Sequence, residues 1–280
     1  MRTVVHLSDL HFGRVDHTLV EPLLAVVRSV EPDLIAVSGD LTQHAYEREF
    51  KDAAEFLRKL PGQLIVVPGN HDMAFLNPWK RATQRLRMFR EFITNDPEPF
   101  YADDEIAVLG LNTARVMHLR DGRIREWQIA KLEERMRSVA PGATRILVTH
   151  HPFDLPEIFP SSEIVGRGAR YFKRVVGCID LMLAGHMHVS HAGPTAVRYN
   201  ISGESAIFVQ AGTALSTRTR TEENAFQVMR MSPGAIEVQQ FSSSGDTYLS
   251  SEPRLFRKEK GAWLASSHSS LTQSRVPTIP

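Results

Sequence analysis

Apolar positions near the start of the chain switch period repeatedly. "TVVHL" is a short apolar run that ends in the polar pair Ser8-Asp9. Leu19, Leu23, Val26, Val27 and Val30 then recur at helical spacing, which predicts a helix. "PDLIAVSGD" predicts a second strand, opened by Pro32 and closed by Gly39. Tyr46, Phe50, Ala53, Leu57 and Leu60 step by fours and threes, a second helix ended by Pro61-Gly62. "QLIVVPGNHD" predicts a third strand. Strand-helix alternation of this kind points to a mainly parallel sheet with right-handed crossovers.

The pattern then loosens. Residues 73–95 predict a basic helical stretch, and "PEPFYADDEIAVLGLNTA" a hairpin-like pair of strands. Ile129, Leu132, Met136 and Val139 mark a helix stopped by Pro141-Gly142. "TRILVTHHP" predicts a strand, "ARYFKRVVG" a helix and "IDLMLAGHMH" a strand. "SAIFVQAG", "AFQVMRM" and "AIEVQQF" are short runs separated by Gly, Pro and Ser, a pattern that favours antiparallel pairing. From Ser242 the chain is Ser-rich, so it divides into a domain over 1–241 and a C-terminal extension or arm over 242–280. Leu255, Phe256, Trp263 and Leu264 in that arm predict packing on the chain's own body or on a second copy, the route to a homo-oligomer.

Composition narrows the function classes. The chain has 280 residues, 42% of them hydrophobic and 23% charged, enough for a large core. Its formal net charge of +1 offers no overall field for a nucleic-acid backbone. The basic run "WKRATQRLRMFR" is accounted for by an amphipathic surface helix, so nucleic acid is disfavoured as a partner. A single cysteine, Cys178, excludes a disulfide within the chain and a thiolate zinc site. No secretory leader or membrane-length apolar run is visible, and a cytoplasmic location is the expectation.

The candidate chemistry sits where apolar strands end. Asp9 and His11 follow the first strand, Asp40 the second, and Asn70, His71 and Asp72 the third. His150 and His151 follow "TRILVT", and His186 and His188 follow "IDLMLA". In open α/β sheets, binding sites gather beyond the carboxyl ends of the strands. Imidazole, carboxylate and amide oxygen together suit manganese, iron, zinc or cobalt. Residues i and i+2 of an extended chain share a side, which predicts that Asp9 pairs with His11, and His186 with His188. The donors exceed what one tetrahedral ion takes and fit two ions that share a bridging carboxylate.

"DLH" at 9–11, "GD" at 39–40, "GNHD" at 69–72, the histidine at 150 and "GHMH" at 185–188, in that order, resemble the calcineurin-like metallophosphoesterases. The look is nearest to the bacterial phosphodiesterase branch, which includes the class III cyclic nucleotide type. The resemblance implies an α/β fold, a four-layer α/β/β/α sandwich of two mixed β-sheets flanked by helices. It also implies two divalent metal ions, manganese or iron ahead of zinc or cobalt. Asp9, His11 and His188 would bind one ion, and Asn70, His150 and His186 the other, with Asp40 bridging. His71 would not be a ligand; it would give a proton to the leaving oxygen or stabilise the transition state, and Asp72 would orient it. The implied activity is hydrolysis of a small phosphodiester, a cyclic nucleotide or similar, by in-line attack of a metal-held hydroxide.

The alternatives are a nuclease, a pyrophosphatase of nucleotide-lipids or nucleotide-sugars, and a non-catalytic scaffold of the same fold. After Gly39-Asp40 the chain reads Leu41-Thr42-Gln43, unlike the protein-phosphatase branch. Relatives with "GDLTD" carry an acid at the position of Gln43. By the family pattern His150 is favoured over His151 as ligand. His151 then lines the substrate pocket or packs. Arg14 is either a surface residue or one that reaches a phosphate bidentately. His44 is either a helix-start surface residue or a pocket wall, and His191 either a loop residue or a substrate contact. His6 reads as structural.

Overall fold

Neighbouring residues of one strand bury in different places, and this divides the molecule into layers. In the computed structural model, which describes residues 1–74, 78–117, 121–155, 159–195, 204–218 and 222–266, strand β1 spans Arg2–Leu7 and β2 Leu34–Val37. Val4, Leu34 and Ala36 face a second sheet, whereas Val5, Leu7, Ile35 and Val37 face helices. Continuous apolar runs follow, because both faces of each strand are covered.

The first sheet has the order β14-β13-β11-β10-β1-β2-β3, with β12 on β11. Its further strands are β3 (Gln63–Val66), β10 (Ala225–Ser232), β11 (Ala235–Ser244), β12 (Thr247–Ser250), β13 (Arg254–Glu259) and β14 (Ala262–Ala265). The second sheet runs β4-β5-β6-β7-β9-β8. Its strands are β4 (Phe100–Ala102), β5 (Ile106–Leu111), β6 (Thr144–Thr149), β7 (Leu181–Ala184), β8 (His191–Pro194) and β9 (Ile207–Gln210). Both sheets are mixed: β1, β2 and β3 are parallel, as are β5, β6, β7 and β9, with antiparallel strands beside them.

Helices α1 (Val20–Ser29), α2 (Glu47–Lys59), α3 (Pro78–Gln84) and α4 (Arg87–Phe92) belong to the first sheet's side, where Leu23, Val27, Phe50, Leu57 and Phe89 pack under its outer face. Helices α5 (Glu126–Arg137) and α6 (Gly168–Val176) cover the second sheet through Ile129, Leu132, Phe172 and Val175. The middle layer is apolar, with Ile65, Val67, Val108, Val148, Leu183 and Val209 among its members. This is the expected four-layer sandwich.

The structure differs from the sequence reading in three places. The basic stretch over 73–95 is two short helices, parted at Arg85, which has φ +41°. β9 pairs parallel with β7 and antiparallel only with β8, so its C-terminal end points the same way as those of β6 and β7. The stretch from 242 forms strands β12 to β14 on the first sheet. There Leu255, Phe256 and Trp263 are buried against the chain's own body, while Leu264 is exposed. The Trp263 indole N–H donates to Asp180 (3.1 Å), and its backbone N–H to Ser205 Oγ (2.6 Å). Among the described residues no helix is long and apolar enough to cross a membrane.

Candidate metal centre

The site forms on the turns that leave β1, β2, β3, β6 and β7. These turns are not extended. Asp9 (φ +51°), His11 (+49°), Asp40 (+49°), His186 (+76°) and His188 (+57°) all have left-handed backbone. Asp and His tolerate this region better than most residues, and at functional sites the remaining strain is held by surrounding contacts. Here Asp9 N–H donates to Gly39 O (3.1 Å), His11 N–H to Asp40 O (3.0 Å), and Gly185 N–H to His150 O (3.1 Å). Left-handed turns, rather than strand alternation, therefore bring Asp9 to His11 and send His186 and His188 to different donor groups. Met187 between the latter two is buried in the core beneath α5 and α6. The turns interlock so closely that a Cβ on Gly69 would overlap the Asp40 carboxylate. One on Gly185 would overlap Ser8 Oγ and the Asp9 carboxylate.

Two groups of donor atoms result. In the first, His188 Nε2 lies 3.2 Å from both Asp9 Oδ1 and His11 Nε2, and His11 Nε2 lies 3.7 Å from Asp9 Oδ1. In the second, His150 Nε2 lies 3.0 Å from Asn70 Oδ1 and 3.3 Å from Asp40 Oδ2, and the His186 ring is 5.1 Å from the His150 ring. Asp40 Oδ2 is also 4.0 Å from His11 Nε2, so this carboxylate lies between the groups.

The donor set fits a cation. His150 Nδ1–H donates to Ser38 O (2.8 Å) and His188 Nδ1–H to Arg218 O (3.1 Å), which leaves each Nε2 directed at the cluster. Around His150 Nε2 stand the oxygens of Asp40 and Asn70, and nothing there can donate unless a proton or a metal occupies that position. Asp9 Oδ1 is buried without a conventional hydrogen bond, while its Oδ2 accepts from Ser8 Oγ (2.6 Å) and His186 N–H (2.9 Å). Convergent, oriented and under-satisfied N and O atoms of this kind suit a first-row divalent metal.

Protonation follows from the same neighbours. Burial lowers His150, but the Asp40 carboxylate outweighs it and its imidazole rises to about 9. Burial works to raise Asp9, yet the His188 and His11 imidazoles hold it well below the usual carboxylate range. Asp40 is likewise held low, burial being overcome chiefly by His150. Burial, helped by His150, pushes His186 down to about 3. A cation at His150 Nε2 must displace a proton, so metal affinity should fall in acid.

His71 stands beside this cluster, its ring 5.1 Å from that of His11 at 88°. Its Nδ1–H donates to Gln43 O (2.7 Å), and its backbone N–H to Asp40 Oδ1 (2.8 Å). Asp72 is buried and accepts from the backbone N–H groups of Gly69 (2.9 Å), Thr42 (2.9 Å) and Leu41 (3.2 Å). It thus clamps the turns after β2 and β3 together. Gln43, not Asp72, holds the His71 ring. Burial and then the Asp40 charge push Asp72 up to about 7 against those N–H donors.

A calcineurin-like phosphoesterase family model matches residues 2–190. The chain belongs to that family. The glycerophosphodiester phosphodiesterase GpdQ of Enterobacter lignolyticus is 27% identical over 169 residues, covering 54% of this chain and 58% of that protein. A probable GpdQ from Arcobacter nitrofigilis is 27% identical over 160 residues, 53% of this chain and 56% of its own length. The chain thus spans little more than half the length of these relatives. The 3',5'-cyclic adenosine monophosphate phosphodiesterase CpdA of Vibrio vulnificus is 24% identical over 243 residues, 81% of this chain and 84% of that protein. The purple acid phosphatase PPD1 from yellow lupin shares the fold at TM-score 0.64 and 11% identity, over 89% of this chain and 52% of that one.

The remaining sequence candidates are held by other contacts. His151 is buried, its Nδ1 2.7 Å from Thr113 Oγ1 and its ring 4.7 Å from that of His186. It shares a compact donor group with His150 and His186, and His150 also reaches Asp40 and Asn70. His44 turns to Glu49 (3.2 Å) and stacks on Tyr46. His191 lies on β8, opposite Gln210, with its ring 6.4 Å from that of Phe208. Arg14 is exposed, and its backbone carbonyl accepts from Thr217 N–H (2.7 Å).

Several contributors escape a sequence reading. Ser8 Oγ orients Asp9, and buried His6 Nε2, Ser38 Oγ and Ser8 Oγ are linked at 2.8 Å per step. Ser8 just before Asp9 and Ser38 two before Asp40 were the available signal. Arg218 donates to His71 Nε2 (2.9 Å), a contact set by long-range packing that carries no local sequence signal.

Proposed function

We propose that this protein is a dinuclear metal-dependent phosphodiesterase acting on small phosphodiesters. The observation that carries the reading is Asp40: one oxygen faces His150 and His11 from opposite donor groups, and the other accepts the His71 N–H. Asp9, His11 and His188 would hold one ion and Asn70, His150 and His186 the other, with Asp40 shared. Such ions, when bound, neutralise phosphate charge and acidify water. We expect manganese or iron.

The chain's own residues supply the rest. The Gln43 carbonyl keeps His71 Nδ1 protonated and turns Nε2 towards its second partner. Hydrolysis forms a P–O bond to the water oxygen and breaks the bond to the leaving oxygen. Water loses one proton and the leaving oxygen gains one; His71 Nε2 can give it only from the doubly protonated imidazole, with Nε2 turned from Arg218 to the leaving oxygen. The relatives named for cyclic adenosine monophosphate and for glycerophosphodiesters make those two diester types the first substrates to try. A cytoplasmic setting is part of the same proposal, checked by cell fractionation.

The test is hydrolysis of bis(p-nitrophenyl) phosphate after chelation and again after adding manganese, with Asp40→Ala as the blank. Manganese-restored turnover well above the blank is expected. Turnover equal to the blank sinks the reading. A panel of cyclic nucleotide, glycerophosphodiester, single-stranded DNA and nucleotide-sugar then selects the class; preference for either of the last two moves the assignment to nuclease or pyrophosphatase.

A further inference from the structure

The segment after β9 forms a strap across the site's edge. Ala214 N–H donates to Ser8 O (3.0 Å), Asp16 N–H to Leu215 O (2.8 Å) and Thr217 N–H to Arg14 O (2.7 Å). Tyr248 OH also donates to Ala214 O. Ser216 is buried, bridges to Val15, and its Oγ accepts the Arg218 N–H (2.9 Å). The strap is therefore tied to the loop that carries Asp9 and His11, and Arg218 is placed by it rather than left on a free end.

Arg218 touches the site twice. Its carbonyl accepts from His188 Nδ1, which fixes that imidazole. Its guanidinium donates to His71 Nε2 at 2.9 Å and is otherwise open to solvent. Among the described residues it meets no carboxylate. A guanidinium presents several N–H groups in a planar fork, and a single imidazole nitrogen uses one of them. The anion that this fork suits is the one the neighbouring site would bring, a phosphoryl group.

We infer that Arg218 is a phosphate-binding residue of this phosphoesterase, its guanidinium taking non-bridging oxygens of the substrate diester and of the phosphate product next to His71. The inference rests on the proposed hydrolytic function for its setting, but its chemistry is anion binding and can be measured without turnover. A merely structural Arg218 would orient His71 and leave phosphate affinity alone.

The experiment uses the full chain loaded with manganese, as wild type, Arg218→Ala, Arg218→Gln and Arg218→Lys. Inorganic phosphate binding is followed by calorimetry, and KM and kcat on bis(p-nitrophenyl) phosphate are measured alongside. In Arg218→Ala, phosphate affinity should weaken by about 10- to 100-fold, the loss of a charge-assisted contact. KM should rise with it, and bound manganese per chain should stay at the wild-type value. Lysine should recover part of the phosphate affinity and glutamine little. If alanine does not fold, the glutamine and lysine pair decides by the same ordering. Phosphate affinity within twofold of wild type in every folded variant overturns the assignment, whatever happens to kcat. So does a loss that follows manganese content alone. Wild-type protein that binds phosphate through Arg218 but hydrolyses no diester would defeat the proposed function and leave this inference standing.

Discussion

Asp9, His11, Asp40 and Asn70 leave the first sheet, whereas His150, His151, His186 and His188 leave the second, and the oxygens and imidazoles of this set are held in opposite ways. The oxygens are oriented by donors: Ser8 Oγ and His186 N–H on Asp9, and His71 N–H on Asp40. The imidazoles are oriented by acceptors: Ser38 O on His150 and Arg218 O on His188. Several of these holds cross between sheets. Ser38 follows β2 and steadies a histidine after β6; His186 follows β7 and steadies an aspartate after β1. Each sheet thus aims the other's donors, and the centre belongs to the seam between them. Neither half could present a usable set alone.

The comparison breaks most severely at Asp40, which faces both donor groups. Asp40→Ala should lower diester hydrolysis by about 10³-fold, the scale of losing a principal electrostatic contact. Elemental analysis should show manganese below that of the wild type. Wild-type loading would mean that Asp40 does not join the groups.

Next come His188→Ala and His150→Ala, one from each group. Each should remove one ion and leave the other, with activity down by about 10²-fold or more. Loss of both ions from either variant would show one coupled cluster rather than two groups.

Ser8→Ala tests the same-sheet hold on Asp9 without touching a ligand. It should weaken manganese binding by about 10-fold, at the low end for an outer contact. An unchanged affinity in a chelator competition would show that His186 N–H alone aims Asp9.

His6 sharpens the picture on the first sheet's side. Burial pushes its imidazole from 6.5 down to about 3. The unfolded chain therefore binds the proton first, and stability contributed by neutral His6 is complete above 6.5 and falls as pH drops towards 3. Metal-free wild type should lose up to about 1.4 kcal/mol per pH unit from this group in that window. His6→Gln should show a shallower slope in denaturant titrations. Parallel slopes would remove His6 from the account.

The donor residues were legible in the sequence because chemistry interrupts apolar strands at visible places. "SDLH", "SGD" and "PGNHD" follow runs that could only be strands, and helical spacing between them settled the parallel order. The left-handed turns were not legible. A dipeptide spacing such as Asp9 to His11 fits an extended chain and a turn equally, and only the partners at Gly39 and Asp40 choose between them. Nor could "IFVQ" disclose its neighbours. β9 is set beside β7 by long-range packing, and with it goes the strap that carries Arg218. In the serine-rich stretch the apolar residues foretell packing but not strands. β13 and β14 bury Leu255, Phe256 and Trp263 against the body, so few apolar residues suffice to seat them.

The backbone of the centre also bears on how the protein can change. Asp40 has φ +49°, a conformation that glycine adopts without penalty and alanine resists. Asp40→Gly should therefore be more stable than Asp40→Ala by about 0.5–1 kcal/mol in thermal melts of metal-free protein, net of glycine's greater freedom when unfolded. Equal melting would mean that the turn relaxes. The same preference applies at Asp9, His11, His186 and His188. Selection for robustness alone would favour glycine at these turns and erase the centre a residue at a time. Backbone stability and the donor set therefore pull in opposite directions at these five positions.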